Sequence, residues 1–228
     1  MKKAPDNAGN WSAFFDVDGT LISIKSMFSF LDYLIEALLI TDLPRVKEYQ
    51  TALRQMITNE QPREAINSFY YRIYEGLDVE RVRELGRDWY AQVSRDNSLF
   101  FARMREEISW HQRQGASIVL VSGSFAAILE PLAEELGADF LIAAPLEILN
   151  GRYTGHLTGH PSIGQGKADG VQAFIREHQL LAQRCYAYGD DISDIPMLEQ
   201  VGYPVMVNPE ANSRSLCQQR NWNIIEAA

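Results

Sequence analysis

Three short apolar runs, each stopped by a polar turn, constrain this chain more than any other feature. WSAFFDV at residues 11–17 runs into Asp18-Gly19-Thr20, SIVLV at 117–121 into Ser122-Gly123-Ser124, and CYAY at 185–188 into Gly189-Asp190-Asp191. None carries a helical period, so each reads as a strand buried on both faces. Shorter apolar runs at 140–143 and 204–207 predict two more strands. Helical segments over residues 125–135 and 167–179 stand between them. Strands alternating with helices predict an α/β protein with a doubly wound, mostly parallel, Rossmann-like sheet. Asn150-Gly151 between two apolar runs in 146–157 predicts a hairpin outside that scheme.

The first two runs are far apart, and residues 26–114 between them show no strand pattern. Instead Val46, Tyr49, Leu53, Met56 and Ile57 repeat at three and four. So do Ile66, Phe69, Tyr70 and Ile73, and then Val82, Leu85, Trp89 and Val93. Each set marks one face of an amphipathic helix. Pro44 and Pro62 sit where two of these helices should begin, and Gly76-Leu77-Asp78 and Arg95-Asp96-Asn97 read as turns. The chain therefore divides into a split core, residues 1–22 and 98–228, and an all-helical insert, residues 23–97. The plain account of the insert's aromatic faces is a bundle interior.

Composition narrows the function. With 21 Lys and Arg against 30 Asp and Glu the net charge is −9, and no basic face is evident, which argues against a nucleic-acid partner. The most apolar run, Phe28 to Ile40, is broken by Asp32 and Glu36 and is too short to span a bilayer, so no membrane role is expected. Met1-Lys2-Lys3 leads into Pro5, Asp6, Asn7 and Gly9 rather than an apolar stretch, so a cytoplasmic protein is expected. Cys185 and Cys217 are far apart and form no metal-binding pair.

In open α/β sheets ligands bind beyond the carboxyl ends of the strands, and three polar turns fall there. Asp16-Val17-Asp18-Gly19-Thr20 places two carboxylates around a turn that Gly19 permits, where backbone N–H groups can curl around an anion. Ser122-Gly123 offers a hydroxyl and free amides to a phosphate oxygen, although taken alone such a turn is as well a helix cap. Gly189-Asp190-Asp191-Ile192-Ser193-Asp194 gathers acids whose repulsion a divalent cation would relieve; alone, it is equally a solvated turn. Lys167, after Gly164-Gln165-Gly166, is either a solvated lysine or a partner for those acids.

Taken together, D-x-D-G-T, a strand ending in Ser122, Lys167, and G-D-x-x-x-D resemble the haloacid-dehalogenase superfamily of phosphohydrolases. The helical insert resembles that family's C1 cap. SGSF and YGDDISDIPML resemble its phosphoserine-phosphatase-like subgroup, subfamily IB. The resemblance implies a Mg²⁺-dependent phosphomonoesterase acting on a small phosphorylated metabolite. It implies Asp16 as nucleophile, Asp18 as acid and base, and Ser122 and Lys167 at the transferring phosphoryl group. Asp16, the Asp18 carbonyl, Asp190 and Asp194 would hold or support the metal, and Gly19, Thr20, Gly123 and Lys25 would line the substrate. Two positions depart from the pattern. Lys25, nine residues after Asp16, stands where phosphoserine phosphatases carry a glutamate, and would favour an anionic leaving group. Asp191 replaces a small residue. A phosphotransferase using the same aspartyl phosphate, or a phospho-Asp signalling module, are the competing expectations; the oligomeric state stays open.

Overall fold

The computed structural model describes residues 11–38 and 43–227. The readings placed on Met1–Gly9 and on the end of the Phe28 to Ile40 run lie outside the described residues. The core is one six-stranded, wholly parallel sheet in the order β3-β2-β1-β6-β7-β8. Its strands are β1 (Ser12–Asp16), β2 (Ser117–Val121), β3 (Phe140–Ile142), β6 (Tyr186–Gly189), β7 (Tyr203–Val207) and β8 (Asn223–Ile225). Every β1 residue is buried, as an apolar run between two helical layers requires. The chain leaves β1 toward β2 and β3 on one side and returns to β6, β7 and β8 on the other. The switch point is therefore at β1 itself, where open α/β sheets form their binding crevice.

β4 (Leu146–Leu149) and β5 (Arg152–Leu157) form the expected hairpin, apart from the main sheet. Between β1 and β2 lie α1 (Ser26–Leu38), α2 (Leu43–Thr58), α3 (Arg63–Tyr70), α4 (Val79–Val93) and α5 (Ala102–Arg113). α3 tightens into a 3-10 turn over Tyr71–Tyr74, so the repeat of Ile66, Phe69, Tyr70 and Ile73 is not one uniform helix. Pro62 caps α3, and Asp78 caps α4 by accepting the Arg81 N–H at 3.1 Å. α6 (Ala126–Leu136), α7 (Gln165–Glu177), α8 (Ile195–Leu198) and α9 (Ala211–Gln219) complete the flanking layers. α9 and β8 follow the last element read from sequence.

Backbone pairing and a close helix crossing both tie the insert to the rest of the chain. Its two connections run side by side: Ser23 N–H reaches the Leu99 carbonyl at 2.8 Å and Phe101 N–H the Leu21 carbonyl at 3.0 Å. The Gly76–Val79 linker pairs with the hairpin, Gly76 N–H to Tyr153 O at 2.8 Å and Tyr153 N–H to Leu77 O at 3.0 Å. And α4 crosses α6 so closely that a Cβ at Gly86 would stand 2.1 Å from the Ala127 carbonyl oxygen. Gly86→Ala is expected to destabilise the protein. Relieving that overlap costs about 1–3 kcal/mol, against a gain of about 1 kcal/mol in helix propensity. Thermal unfolding of the variant checks it; a melting temperature equal to or above wild type would show that the crossing gives way freely.

Candidate active site

Strand register sets the site. Asp16 pairs with Val121 and Phe15 with Tyr188, so Ser122 and Asp190 each follow one residue beyond the level of Asp16. Three polar side chains thus arrive at one edge from three adjacent strands. After Asp16 the chain folds back on itself: the N–H groups of Leu21 and Ile22 both donate to the Val17 carbonyl, at 2.9 and 3.1 Å. Gly19 sits at φ +99°, and a Cβ there would lie 2.2 Å from Asp190 Oδ2. Only glycine lets the turn approach Asp190 so closely. Its own N–H donates to Ile22 O at 2.8 Å, so Gly19 supplies the room for the turn. Thr20 is buried and bridges the acids, its hydroxyl 3.0 Å from Asp16 Oδ2 and 3.3 Å from Asp190 Oδ1.

Lys167, in the first turn of α7, is buried between two carboxylates. It donates to Asp16 Oδ1 and, at 2.6 Å, to Asp194 Oδ1. Burial alone would lower its pKa, but Asp16 and Asp194 outweigh it and hold the ammonium above its ordinary value. Burial pushes the Asp16, Asp190 and Asp194 carboxyls up, with Lys167 opposing it at Asp16 and Asp194 and Lys25 at Asp190. Asp194 also accepts the N–H groups of Asp190 and Asp191, each at 3.2 Å, which folds the 190–194 loop.

Asp18 is the exception among the acids. Its Oδ2 accepts the Ser26 N–H at 3.0 Å, but its buried Oδ1 has no partner. Burial, then the Asp16 charge, raises its pKa to about 6. Lys25 reaches back: its ammonium donates to the Asp18 carbonyl at 2.8 Å and lies 3.8 Å from Asp190 Oδ2. That places its ammonium against the acids, at the wall of the same cavity. Asp191 is not a spare acid. It caps the 3-10 turn at Ile192–Asp194 and pairs with Arg63 from α3. Burial would raise its pKa, but the Ser193 N–H and Arg63 hold it below the usual carboxylate range.

On the other flank, Ser122 is 3% exposed and its Oγ accepts the Ser124 N–H at 3.0 Å. The helix cap of α6 is Phe125, without a side-chain bond, so the serine turn does not serve as the cap. Asp16, Asp18, Ser122, Lys167 and Asp190 all line one cavity of about 330 Å³. Its far wall comes from the insert, with Met27, Phe28, Ile57, Ile66, Asn67 and Tyr70. The sequence reading missed Arg63, Asn67 and Tyr71. The available signal was their i, i+4, i+8 spacing, one face of a helix.

The carboxylates of Asp16, Asp190 and Asp194 each bring one oxygen within 4.8 Å of the others. A set of hard oxygen donors suits Mg²⁺. Cationic side chains already sit against this set, Lys167 on Asp16 and Asp194, and Lys25 on the Asp18 carbonyl and 3.8 Å from Asp190.

The haloacid dehalogenase-like hydrolase family matches residues 13–199, and the chain belongs to that family. It is an enzyme of this hydrolase class, and curated relatives carry phosphatase names. A phosphoserine phosphatase of Mycobacterium tuberculosis is 30% identical over 216 residues, 93% of this chain and 70% of its own. A histidinol-phosphatase of Neisseria meningitidis is 26% identical over 217 residues, 93% of this chain and 97% of its own. Among solved structures, a protein of unknown function from Bordetella pertussis superposes with a TM-score of 0.84 at 25% identity, covering 96% of this chain and all of that one. No described helix is long and apolar enough to cross a membrane.

Proposed function

We propose that this protein is a Mg²⁺-dependent phosphomonoesterase that hydrolyses a small phosphorylated metabolite through an aspartyl phosphate on Asp16. The observation that carries the proposal is the convergence of Asp16, Asp18, Ser122 and Lys167 on one end of one cavity. Asp16 Oδ attacks phosphorus, the P–O bond to the substrate alcohol breaks, and Asp18 Oδ1 delivers its proton to the departing alkoxide. Asp18, now ionised, takes a proton from the water that attacks the aspartyl phosphate, releasing phosphate and restoring Asp16. Lys167 offsets charge on the nucleophile and on the transferring group, and Ser122 donates to a phosphoryl oxygen. Asp16, the Asp18 carbonyl and Asp190 would hold Mg²⁺, with Asp194 supporting; the ion supplies the charge that lets a carboxylate approach a phosphate dianion.

The division into a core of residues 1–22 and 98–228 and a cap of residues 23–97 belongs to this proposal. The apolar insert wall over the cavity supports it, and a receiver-type signalling module would have no use for such a wall. The cytoplasm, where phosphorylated metabolites are made, is the setting proposed, and the buried free thiols Cys185 and Cys217 suit it.

The test is phosphate release from a panel of phosphorylated metabolites with and without Mg²⁺. EDTA is expected to reduce the rate to background and Mg²⁺ to restore it, with Ca²⁺ a poor substitute because its looser shell misplaces the carboxylate. Mg²⁺ is also expected to raise the melting temperature of the EDTA-treated protein in a concentration-dependent way. Full activity after exhaustive chelation, together with an unmoved melting temperature, would remove the metal. Product analysis with added alcohol separates hydrolysis from transfer to an alcohol.

A further inference from the structure

One face of α3 and the turn after it joins the two loops that carry the chemistry. Arg63 reaches Asp191 and, at 3.2 Å, the Ser193 hydroxyl. Four residues on, Asn67 Nδ2 donates to the Gly123 carbonyl at 2.9 Å and lies 3.4 Å from Met27 Sδ. Four further on, the Tyr71 hydroxyl donates to the same Gly123 carbonyl at 2.6 Å. The two donors on Gly123 O fix the Asn67 amide. Turning it over would set Oδ1 against a carbonyl oxygen and discard a bond. Asn67 Oδ1 is therefore held away from Gly123, and it has no partner, although Asn67 is only 3% exposed.

Asn67 lines the cavity beside Met27, Phe28, Ile66 and Tyr70. The cations at this mouth are already engaged, Lys25 with the Asp18 carbonyl and Asp190, and Arg63 with Asp191. What the insert wall leaves unspent is an acceptor that can only accept. A buried acceptor without a donor is costly, and Oδ1 is itself closed to water in this structure, so a bound molecule that supplies an N–H or O–H there removes the cost once a small shift of α3 opens the oxygen to the cavity.

Resting on the phosphomonoesterase reading, we propose that Asn67 selects the substrate. Its Oδ1 takes a hydrogen-bond donor, an amine or a hydroxyl, on the alcohol portion of a compact phosphomonoester whose remaining surface is apolar. Asn67 and Tyr71 together position the Ser122 loop through Gly123, while Asn67 alone reads the leaving group.

Three short phosphate esters test this: 2-aminoethyl phosphate, 2-hydroxyethyl phosphate and the donor-free n-propyl phosphate. Wild type with Mg²⁺ is expected to favour the two donor-bearing esters over the propyl ester in kcat/KM by about 10-fold, the size of one good hydrogen bond. Asn67→Leu should bring that ratio to within about twofold of unity. Tyr71→Phe, which loosens the loop but spares the acceptor, should lower all three rates alike and keep the ratio. If Asn67→Leu folds poorly, Asn67→Asp carries the test. It keeps acceptor oxygens, adds charge, and should raise the preference for the aminoethyl ester over the propyl ester. A wild-type ratio near one, or a ratio unmoved by substitution at Asn67, overturns the proposal while p-nitrophenyl phosphate is still hydrolysed. Failure to hydrolyse p-nitrophenyl phosphate or any of the three esters with Mg²⁺ overturns the phosphomonoesterase reading, and this proposal with it.

Discussion

Asp16→Asn is expected to lower kcat by roughly 10⁴-fold or more while leaving a folded protein. An amide has no charged lone pair to put on phosphorus, and of the described carboxylates lining the cavity only Asp18 has a buried oxygen without a partner, in the group proposed to protonate the leaving alcohol. Ser122 Oγ is committed to the Ser124 N–H, and the Asp190 and Asp194 carboxylates are held by Thr20 and by Lys167 with the loop N–H groups. Folding should survive, because an amide oxygen can still accept from Thr20 or Lys167, and Lys167 keeps Asp194 as its counter-charge. Two measurements settle it together. Phosphate release should fall to background with the melting transition preserved. Acid-quenched wild type should also carry covalent phosphate that the variant lacks. A variant retaining more than about 1% of the wild-type rate would mean that another group attacks, since removing a nucleophile ordinarily costs far more than about 10²-fold.

Much of this site was legible because its geometry is a strand-end geometry. Apolar runs at 11–17, 117–121 and 185–188 reveal strands, and parallel strands in register bring their next residues level. Asp16, Ser122 and Asp190 follow from that alone. Lys167 needed the family resemblance, because nothing local tells a buried helix-start lysine from a solvated one; Asp16 and Asp194, 151 and 27 residues away, decide it.

The parts that were hidden share a cause. Arg63, Asn67 and Tyr71 act on Asp191 and Gly123, from 52 to 128 residues distant, and a one-dimensional pattern shows the helix face but not what it meets. The bridge that the Thr20 hydroxyl makes between Asp16 and Asp190 had no signal in the sequence. Asp191, which the sequence showed only as a departure from the family pattern, is a cap paired with Arg63. α9 and β8 were missed for a different reason. ANSRSLCQQ carries little apolar periodicity, and NII is too short to show a strand alternation. The insert's two connections are hydrogen-bonded to each other, and the hairpin and α6 hold the insert elsewhere. Under the proposed function, small shifts of α1–α3, which face the cavity, would be enough to admit substrate.

Asp18→Asn should move activity and stability in opposite directions. Asp18 Oδ1 is a buried carboxyl oxygen without a partner, in a group whose pKa is raised from 3.8 to about 6 by burial first and by Asp16 second. A raised folded pKa means that the protonated form is the one the fold prefers. In the metal-free protein its favourable contribution is complete below about pH 4 and is lost as the pH rises through about 6. An asparagine cannot ionise and so escapes that loss. In EDTA the variant should match wild type near pH 4 and exceed it above pH 6 by about 2 kcal/mol, a rise of several degrees in melting temperature. Mg²⁺ should shrink the gap, because a cation beside Asp18 favours the charged form that only wild type has. The rate should meanwhile fall by about 10²–10⁴-fold, the usual worth of a placed acid–base group. The loss should be larger for alkyl phosphates than for p-nitrophenyl phosphate, whose leaving group departs without a proton. Equal losses on both substrates would deny Asp18 its part as the acid in the first step. A stability difference that is the same at pH 4 and pH 7 would mean that Asp18 is not the group whose ionisation the fold resists.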